Sequence, residues 1–347
     1  MFRIAPEPRE MTDVERIAAA YRRFAEQEAR GRSALYELFS SRIAEDLAVL
    51  ELLAALPPPK RQPNLLLAAA RHVAGVARDW PTFRETVLAR WTEIRAVMLN
   101  RSTQTNEPGR CAALLPVFAC LPQPLALIEV GASAGLCLLP DRYAYAYGQH
   151  IVRPDDDGGG VPVFPCQACA GTPLPRTMPR IVWRAGLDLN PLDVTNTEQM
   201  GWLETLVWPE QIDRAARLRA AIRIARAYPP RLVRGDLRDN VAALAAEAPQ
   251  DATLIVFHTA VLGYVSNKSE RSAFAESVLS MCDYWISNEA PLVLADIAAR
   301  GSAPVPPGGF VLAINGEPVA FTDPHGAALQ WLRDPPMAQD RNSSRRA

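Results

Sequence analysis

The stretch that most constrains the fold is LALIEVGASAGLCLL, residues 125–139, in which an unbroken apolar run is followed at once by a glycine-rich segment. A short continuous apolar run is typical of a strand that is buried on both faces. Gly131 and Gly135 permit a tight turn that brings backbone N–H groups close to a ligand. Apolar residues resume after Gly135 and are interrupted at Pro140, which predicts a brief helix. The stretch therefore predicts a strand, a glycine loop and a helix.

Three interpretations of this stretch are open on its residues alone. A nucleotide-binding fold would hold an adenosine-containing cofactor at the loop, with Glu129 on one of its hydroxyl or amino groups. An α/β-hydrolase would use Gly131-Ala132-Ser133-Ala134-Gly135 as a nucleophile elbow, with Ser133 as the nucleophile. The third interpretation is a close-packed turn that binds nothing. The rest of the chain has to decide between them.

Charge and cysteine usage narrow the classes of partner. The 347 residues carry a formal net charge of -1, so no field favours nucleic acid or an anionic membrane, and we expect neither as a partner. The chain lacks an apolar signal sequence and a membrane-length apolar stretch, and its six cysteines are scattered. These features predict a cytoplasmic protein with free thiols and a small-molecule substrate. Cys166 and Cys169 have no second pair at zinc-finger spacing, so we predict no metal site.

The N-terminal third is helical in pattern and contains no convincing strand. Apolar residues recur at helical spacing from Thr12 to about Leu121, for example at Ile17, Tyr21 and Phe24. The length of the chain suggests two domains, or one large domain with an extension. We predict an all-α domain over residues 1–121.

The remainder alternates strands and helices and so predicts an α/β sheet. We expect a mostly parallel sheet over residues 122–333, with a Tyr- and Pro-rich insertion at about 143–180, and a disordered tail over residues 334–347. Thr195-x-x-Glu198 predicts a capping box that opens a helix. Within the insertion, Tyr143, Tyr145 and Tyr147 predict a strand with one aromatic face, and residues 161–166 its hairpin return. The main predicted strands are residues 125–129, 181–191, 232–236, 254–259 and 291–297, closed by a hairpin of 310–314 and 318–321 around Asn315-Gly316.

This arrangement resembles the class I S-adenosylmethionine-dependent methyltransferases, whose otherwise parallel sheet also ends in an antiparallel strand. Glu129-Val130-Gly131-Ala132-Ser133-Ala134-Gly135 is similar to the acid-x-Gly-x-Gly-x-Gly cofactor motif of that superfamily. Ser133 stands where the superfamily has its middle glycine, and a side chain there narrows the room for a cofactor. The resemblance implies a Rossmann-like methyltransferase-type sheet.

Seven motifs are spread over most of the chain: TNEPGR from Thr105, EVGASAGL from Glu129, DRYAYAYG from Asp141, GLDLNPLDV from Gly186, WLETLVWPEQ from Trp202, RGD from Arg234 and FHTAVLGYV from Phe257. Together they resemble the DUF2332 family of bacterial proteins. The family implies no reaction, so function has to be argued from the site.

The methyltransferase resemblance implies S-adenosylmethionine as cofactor and assigns roles to named residues. Gly131, Ser133 and Gly135 would lie beside its methionine part, with Glu129 in contact. Asp188, with Asn190, would hold the ribose hydroxyls, although Asp155 lies closer to the spacing of about 20 residues found in dinucleotide folds. Asp236 would face the adenine amino group. The residues that just precede the first strand and its leading helix would reach the pocket from the lid side: Asn106, Glu107 and Arg110.

His258 and Thr259 end a strand where such folds place substrate-facing residues, so His258 is our candidate general base and Thr259 its neighbour in the catalytic site. Each strand-end acid could instead cap a following helix, and His258 could be a hydrogen-bonded structural histidine. Two other functions stay open. One is a methyltransferase-like binding or regulatory protein without catalysis. The other is a hydrolase with Ser133, Asp236 and either His258 or His325, against which the all-helical upstream region argues.

Overall fold

The structure is a computed structural model that describes residues 11–104, 106–155 and 160–333. The chain divides into two compact units, one of Met1–Thr105 with Gly201–Ala215 and the other of Asn106–Met200 with Ala216–Ala347. Residues 106–121, which the sequence assigned to the helical domain, thus fall in the second unit. Thr105 and the predicted disordered tail, 334–347, lie outside the described residues.

The first unit is helical throughout its described part. Four of its helices begin at a side-chain cap, at Thr12, Ser33, Asp46 and Asp79, where an oxygen accepts a backbone N–H of the first turn. A π-helical turn, Phe24–Ala29, follows the first helix. The helices before residue 105 are α1 (Asp13–Arg23), α2 (Ala34–Ile43), α3 (Leu47–Ala54), α4 (Pro63–Ala74), α5 (Trp80–Ala89) and α6 (Trp91–Asn100).

The second unit carries the strands. Its helices are α7 (Arg110–Cys120), α10 (Leu237–Glu247), α11 (Lys268–Met281) and α12 (Ala295–Ala298), while α8 (Thr197–Leu206) and α9 (Ile212–Ala227) have residues in both units. The strands are β1 (Leu125–Val130), β2 (Ala144–Tyr147), β3 (His150–Val152), β4 (Val163–Pro165), β5 (Gln167–Ala168), β6 (Ile181–Asp188), β7 (Arg231–Arg234), β8 (Thr253–Thr259), β9 (Tyr284–Glu289), β10 (Phe310–Ile314), β11 (Glu317–Thr322) and β12 (Ala328–Trp331). Among the helices of the described chain, none combines the length and apolar character needed to span a bilayer.

Nine strands form one mostly parallel sheet in the order β5-β12-β11-β10-β9-β8-β1-β6-β7, and the other three form a small sheet, β3-β2-β4. Strands β7, β6, β1, β8 and β9 all run parallel to one another, and β10 then runs antiparallel to both β9 and β11. The α/β class, the helical N-terminal region and the closing hairpin predicted from the sequence are confirmed. Asn315 and Gly316 both take positive φ in the hairpin turn, as that turn requires.

Several local predictions are wrong. Residues 291–297 form no strand. The strand is Tyr284–Glu289, because the aromatic and β-branched residues Tyr284, Trp285 and Ile286 pair with β8, while Leu292 is 89% exposed. No α-helix follows the glycine loop, only two short 3-10 turns, Leu136–Leu138 and Pro140–Arg142.

Two smaller predictions also need correction. Residues 163–165 of the insertion pair with β2 in parallel, and the antiparallel partner of β2 is β3, reached through a turn at Gly148. Helix α8 is capped by Asn196, whose side chain accepts from Gln199 N, so Thr195 is not the cap. The aromatic strand itself is confirmed, because Tyr145 and Tyr147 lie in β2 and are buried.

The two faces of the large sheet are covered by different helices. Ile128, Val130 and Val256 pack with residues of α10 and α11 in one apolar cluster. Phe257, the next residue of β8, packs edge-on against Phe118 of α7, with 5.5 Å between ring centroids. Since successive side chains of a strand alternate between faces, the register assigns every strand-end side chain to either the α7 face or the α11 face.

Candidate functional site

The candidate site lies where the chain reverses its direction of progress across the sheet. From β1 the chain continues to β6 on one side, and from β8 it continues to β9 on the other, while β1 and β8 are neighbours. Ligands of open α/β sheets bind at such a switch point, outside the carboxyl ends of the strands. Glu129 near the end of β1 and Thr259 at the end of β8 both lie here, on the α7 face.

Glu129 is a buried carboxyl whose hydrogen-bonding capacity is not filled. Its side chain is 5% exposed, and Oε2 has no hydrogen-bond partner among the described residues. Burial raises the pKa of Glu129 well above its ordinary value; nearby Cys137 and Asp188 raise it further, and Arg110 opposes them. A cationic or strongly donating ligand group would supply the missing hydrogen bond to Oε2. It would also lower the pKa of Glu129, because it would favour the ionised form.

Arg110 connects α7 to the strand ends. It is 7% exposed, its Nη1 donates to Thr259 O at 2.9 Å and to Thr259 Oγ1 at 3.0 Å, and its Nε donates to Pro324 O at 2.9 Å. All three acceptors are neutral oxygens, so these bonds position the guanidinium without cancelling its charge. Of the pair His258 and Thr259, it is Thr259 that shares a face with Glu129.

Asn106 and Glu107, the two residues predicted to join Arg110, both carry buried polar groups. Glu107 Oε1 accepts from Gly109 N at 3.0 Å, and its carbonyl accepts from Cys137 Sγ at 3.4 Å. The Nδ2 atom of Asn106 is buried without a partner in the described structure. The contact between Cys137 and Glu107 therefore brings the segment before α7 next to the 3-10 turn that follows the glycine loop.

The glycine loop is packed against protein on the side where its missing side chains would project. Gly131 has φ +71°, and a Cβ built there would lie 2.3 Å from Val261 Cγ2. Gly135 has φ +69°, and its Cβ would lie 2.7 Å from Pro230 Cγ. These two glycines are explained by backbone conformation and packing alone. Ser133 also has positive φ, +51°, and its Oγ is buried without a partner among the residues described.

Asp188 fixes the loop through its carboxylate. Oδ2 accepts from Ser133 N at 2.8 Å and Oδ1 from Asn190 N at 2.7 Å. Asn190 Oδ1 in turn accepts from Arg234 Nη2 at 3.1 Å. The pair thus lies at the end of β6, as the sequence predicted, and it already has protein partners there.

Asp236 acts as a helix cap. It accepts from Arg238 N at the start of α10 and forms a bidentate pair with the Arg238 guanidinium. That guanidinium is the main cause that lowers the pKa of Asp236 to about 2. This geometry favours the capping interpretation over a contact with an adenine amino group.

His258 lies on the other face of the sheet and is fully buried. Its Nδ1 is 2.7 Å from Glu289 Oε1, and its Nε2 accepts from Trp285 Nε1 at 3.1 Å. Both ring nitrogens are thus engaged, and the ring packs against Phe274 of α11. The geometry therefore favours a structural role over the general-base role that the sequence suggested.

The residues proposed for a hydrolase are not assembled. Ser133 Oγ has no partner in the described chain, Asp236 is paired with Arg238, and both nitrogens of His258 are engaged. His325 lies in the turn after β11, where its N–H donates to Asp323 Oδ1. No charge-relay arrangement is therefore formed around Ser133 by these groups.

Sequence reasoning missed Asn288 and Thr322. Asn288 lies on β9 beside Thr259 of β8, and Thr322 is the last residue of β11. Both are buried, Thr322 Oγ1 donates to Asn288 Oδ1 at 2.8 Å, and Asn288 Nδ2 has no partner in the described structure. The available signal was the run Tyr284-Trp285-Ile286-Ser287-Asn288, which ends in polar residues just as β8 does.

Cys166 and Cys169 flank the short strand β5. Cys166 is buried, which raises the pKa of its thiol to about 12, and Cys169 Sγ accepts from Trp331 N at 3.1 Å. Over the described ranges, no three His, Cys, Asp or Glu side chains are grouped so that they could hold a metal ion.

Fold and site together define an α/β protein with a buried polar cluster at the switch point of a mostly parallel sheet. The profile of the family described as "Uncharacterized protein conserved in bacteria (DUF2332)" matches residues 18–331. The chain belongs to the DUF2332 family. No curated protein and no solved structure matches it.

Proposed function

We propose that this protein is an S-adenosylmethionine-dependent methyltransferase that acts on a small molecule. The observation that carries the proposal is Glu129, a buried carboxyl with an unpartnered Oε2 at the carboxyl end of the central strand. The α-ammonium group of the cofactor is a cation that would supply the missing partner.

The sheet supports the same proposal. In chain order the five parallel strands β7, β6, β1, β8 and β9 are arranged 3-2-1-4-5, the order of nucleotide-binding doubly wound sheets. Glu129 lies near the end of strand 1 of that order and the glycine loop follows it, where such sheets hold their nucleotide. Within the α/β class, we therefore interpret this unit as a Rossmann-like methyltransferase domain.

The residues fit the amino-acid end of the cofactor better than its adenosine end. Glu129 suits the ammonium group, and the buried donor Asn106 Nδ2 suits the carboxylate. At the other end, Asp188 can accept ribose hydroxyls only with the lone pairs that Ser133 N and Asn190 N leave free. Asp236 is committed to its helix and to Arg238.

When bound, S-adenosylmethionine supplies an electrophilic methyl group, which an acceptor lone pair displaces from sulfur. The contribution of this chain is to align the two reactants and to exclude water, and such alignment can lower a barrier by about 7–11 kcal/mol. Thr259, which is held by Arg110, would contact the acceptor from the end of β8. His258 would hold β8 and β9 in place rather than accept a proton.

Calorimetric titration of the full chain with S-adenosylhomocysteine tests the proposal. We expect saturable binding that Glu129→Gln weakens by about tenfold or more, since one charged hydrogen bond is lost. Glu276→Gln, on the exposed surface of α11, is the matched control and should bind like the unaltered protein. No binding at millimolar ligand, or equal binding by Glu129→Gln, would overturn the proposal.

A second candidate is a binding or regulatory protein that uses the same cofactor without catalysis. The observation that favours it is the engagement of both His258 nitrogens, which leaves that residue no lone pair for a substrate proton. Incubation of the protein and methyl-labelled S-adenosylmethionine with a small-molecule cell extract separates the two. Transfer of label to an extract component supports the enzyme. Tight cofactor binding with all label retained on the cofactor supports the binding protein.

A further inference from the structure

Five residues form a closed ring of contacts at the carboxyl edge of the sheet. Arg110 bonds to Thr259, Thr259 lies beside Asn288 in the parallel register, and Asn288 bonds to Thr322. Two residues further along the chain, Pro324 O accepts from Arg110 Nε and closes the ring. We call Arg110, Thr259, Asn288, Thr322 and Pro324 the strand-end ring.

The ring has hydrogen-bond donors to spare. Thr322 Oγ1 donates a hydrogen bond to Asn288 Oδ1, and the Nδ2 group of the same amide is buried without an acceptor in the described structure. Thr259 Oγ1 accepts from Arg110, so its own proton is available to a further acceptor. Nη1 and Nε of Arg110 bond neutral oxygens, and the two N–H groups on Nη2 remain.

No carboxylate belongs to the ring. Glu289 follows Asn288 but points to the opposite face, where its Oε1 accepts from Val261 N and Leu262 N. Asp323, between Thr322 and Pro324, uses Oδ1 to accept His325 N and Ala327 N within its own turn. The ring thus combines one buried cation with neutral donors, which is the complement of an anionic oxygen group.

The backbone beside the ring is strained. Ala260, directly after Thr259, has φ +56°, a left-handed conformation that alanine rarely adopts, and its N–H donates to Asn288 O at 3.0 Å. Strained residues are retained where surrounding structure fixes them, and they cluster at binding and catalytic sites.

The Asn288 side of the ring is separate from the Glu129 position, although Arg110 acts electrostatically on Glu129. Glu129 of β1 is in register with Phe257 of β8, which is in register with Ile286 of β9. Asn288 therefore lies two strands away from Glu129 and two residues beyond the position in β9 that is level with it. Strand and residue spacings place their Cα atoms about 12 Å apart. One small ionic group cannot reach both positions.

We propose that the strand-end ring binds an oxyanion, a carboxylate or a phosphate, of the small molecule on which this protein acts. That this molecule is the methyl acceptor rests on the proposed function, whereas the binding itself does not. Asn288 and Arg110 would hold the anion, and Thr322 would position the Asn288 amide through its hydrogen bond to Oδ1.

The test is calorimetric titration of the full chain with succinate, inorganic phosphate and the neutral analogue succinamide, with and without S-adenosylhomocysteine. We expect one of the two anions to bind and succinamide not to bind. The preferred anion identifies the oxyanion as a carboxylate or a phosphate. Equal binding of succinamide and succinate, or binding of neither anion, overturns the proposal.

Variants locate the site. Asn288→Asp keeps the size of the side chain, removes the donor and adds a negative charge, so it should weaken anion binding by at least about tenfold. Asn267→Asp is the matched control, because Asn267 caps α11 by accepting from Ser269 N and aspartate caps equally well. If Asn288→Asp does not fold, Thr322→Val removes the bond that orients the amide and should weaken binding by about threefold to tenfold. A folded variant at either ring position with unchanged anion affinity overturns the proposal.

The two proposals can fail independently. Anion binding by a protein that does not bind S-adenosylhomocysteine refutes the methyltransferase and leaves the ring assignment standing. Binding of S-adenosylhomocysteine without any anion binding refutes the ring assignment alone.

Discussion

Glu129 and His258 are the next-to-last residues of neighbouring parallel strands but lie on opposite faces of the sheet. Glu129 is in register with Phe257, whose ring packs on Phe118 of α7, and the next residue, His258, packs on Phe274 of α11. One residue of offset between adjacent strands is enough to place two candidate site residues on different sides of a protein layer.

His258→Ala should therefore affect stability rather than ligand binding. It removes a fully buried ring and deprives Glu289 and Trp285 of a partner, so we expect a loss of about 3 kcal/mol in the free energy of unfolding. Urea unfolding measures this loss. The affinity for S-adenosylhomocysteine, measured in the absence of denaturant, should be unchanged.

His150→Ala is the control for that experiment. His150 is part-buried, its Nε2 lies 2.8 Å from Pro175 O and its ring centroid 6.5 Å from that of Tyr147, so its loss should cost about 1 kcal/mol or less. A His258→Ala protein as stable as His150→Ala, but with altered ligand affinity, would contradict the structural role of His258.

Glu129→Gln should stabilise the protein increasingly as the pH rises. A glutamate in an unfolded chain ionises near pH 4.3, whereas burial raises the pKa of Glu129 in the folded state. Between these two values the folded protein holds a proton that the unfolded chain has lost, so its stability falls as the pH rises. Glutamine does not ionise, so the Glu129→Gln protein does not lose stability in this way as the pH rises.

The measurement is the difference in unfolding free energy between Glu129→Gln and the unaltered protein at a series of pH values from 4 to 8. That difference cancels the titration of the other groups. We expect it to increase in favour of Glu129→Gln above about pH 4.3. A difference that stays constant with pH would mean that Glu129 ionises as freely in the folded state as in the unfolded chain.

Gly131→Ala should destabilise the protein more than Gly148→Ala does. Both glycines have positive φ, +71° and +63°, so alanine costs about 1–2 kcal/mol of backbone strain at either position. Only at Gly131 does the new Cβ overlap a neighbour, Val261, and this should add about 1–3 kcal/mol.

Val261→Ala combined with Gly131→Ala isolates that overlap. Truncation of Val261 opens the space, so in the double-mutant cycle Gly131→Ala should cost less than it does alone. Urea unfolding of the four proteins provides the numbers. Equal costs at Gly131 and Gly148 would show that Val261 moves aside freely and that the loop has room there.

The sequence predicted the parallel core well because each of its strands is an unbroken apolar run. β1, β6 and β8 begin or end within a few residues of their predicted bounds, and the Asn315-Gly316 turn identified the closing hairpin. The strand at Tyr284 was missed, because the apolar residues of the following segment, 291–297, resemble a buried strand equally well. Only pairing with β8, a non-local interaction, distinguishes the two.

The sequence predicted which strand ends contribute side chains to the site. It did not predict on which face of the sheet each side chain lies. Glu129, Asp188 and Thr259 were identified because acids and hydroxyls at the ends of apolar runs are visible in the chain, and Arg110 because it precedes the helix that leads into β1. The register that separates His258 from Glu129 depends on how two distant strands align, which periodicity within one strand does not specify. Asn288 was not predicted as a site residue, because its strand, β9, was itself not predicted.

Asp188 offers the sharpest test of what the glycine loop is for. In the structure its carboxylate accepts the backbone N–H groups of Ser133 and Asn190, so Asp188→Asn replaces one acceptor oxygen by an N–H₂ group that faces a donor. We expect the Ser133 amide to exchange its hydrogen about tenfold faster or more, and stability to fall by about 1–3 kcal/mol. Asp193→Asn is the control: Asp193 accepts from Thr195 N in an exposed turn, and its replacement should leave exchange at Ser133 unchanged. Asp188→Asn could instead lower the affinity for S-adenosylhomocysteine and leave hydrogen exchange at Ser133 unchanged. That result would mean that the Asp188 carboxylate binds the ligand directly, as the ribose-binding prediction states, and that the glycine loop does not need this carboxylate.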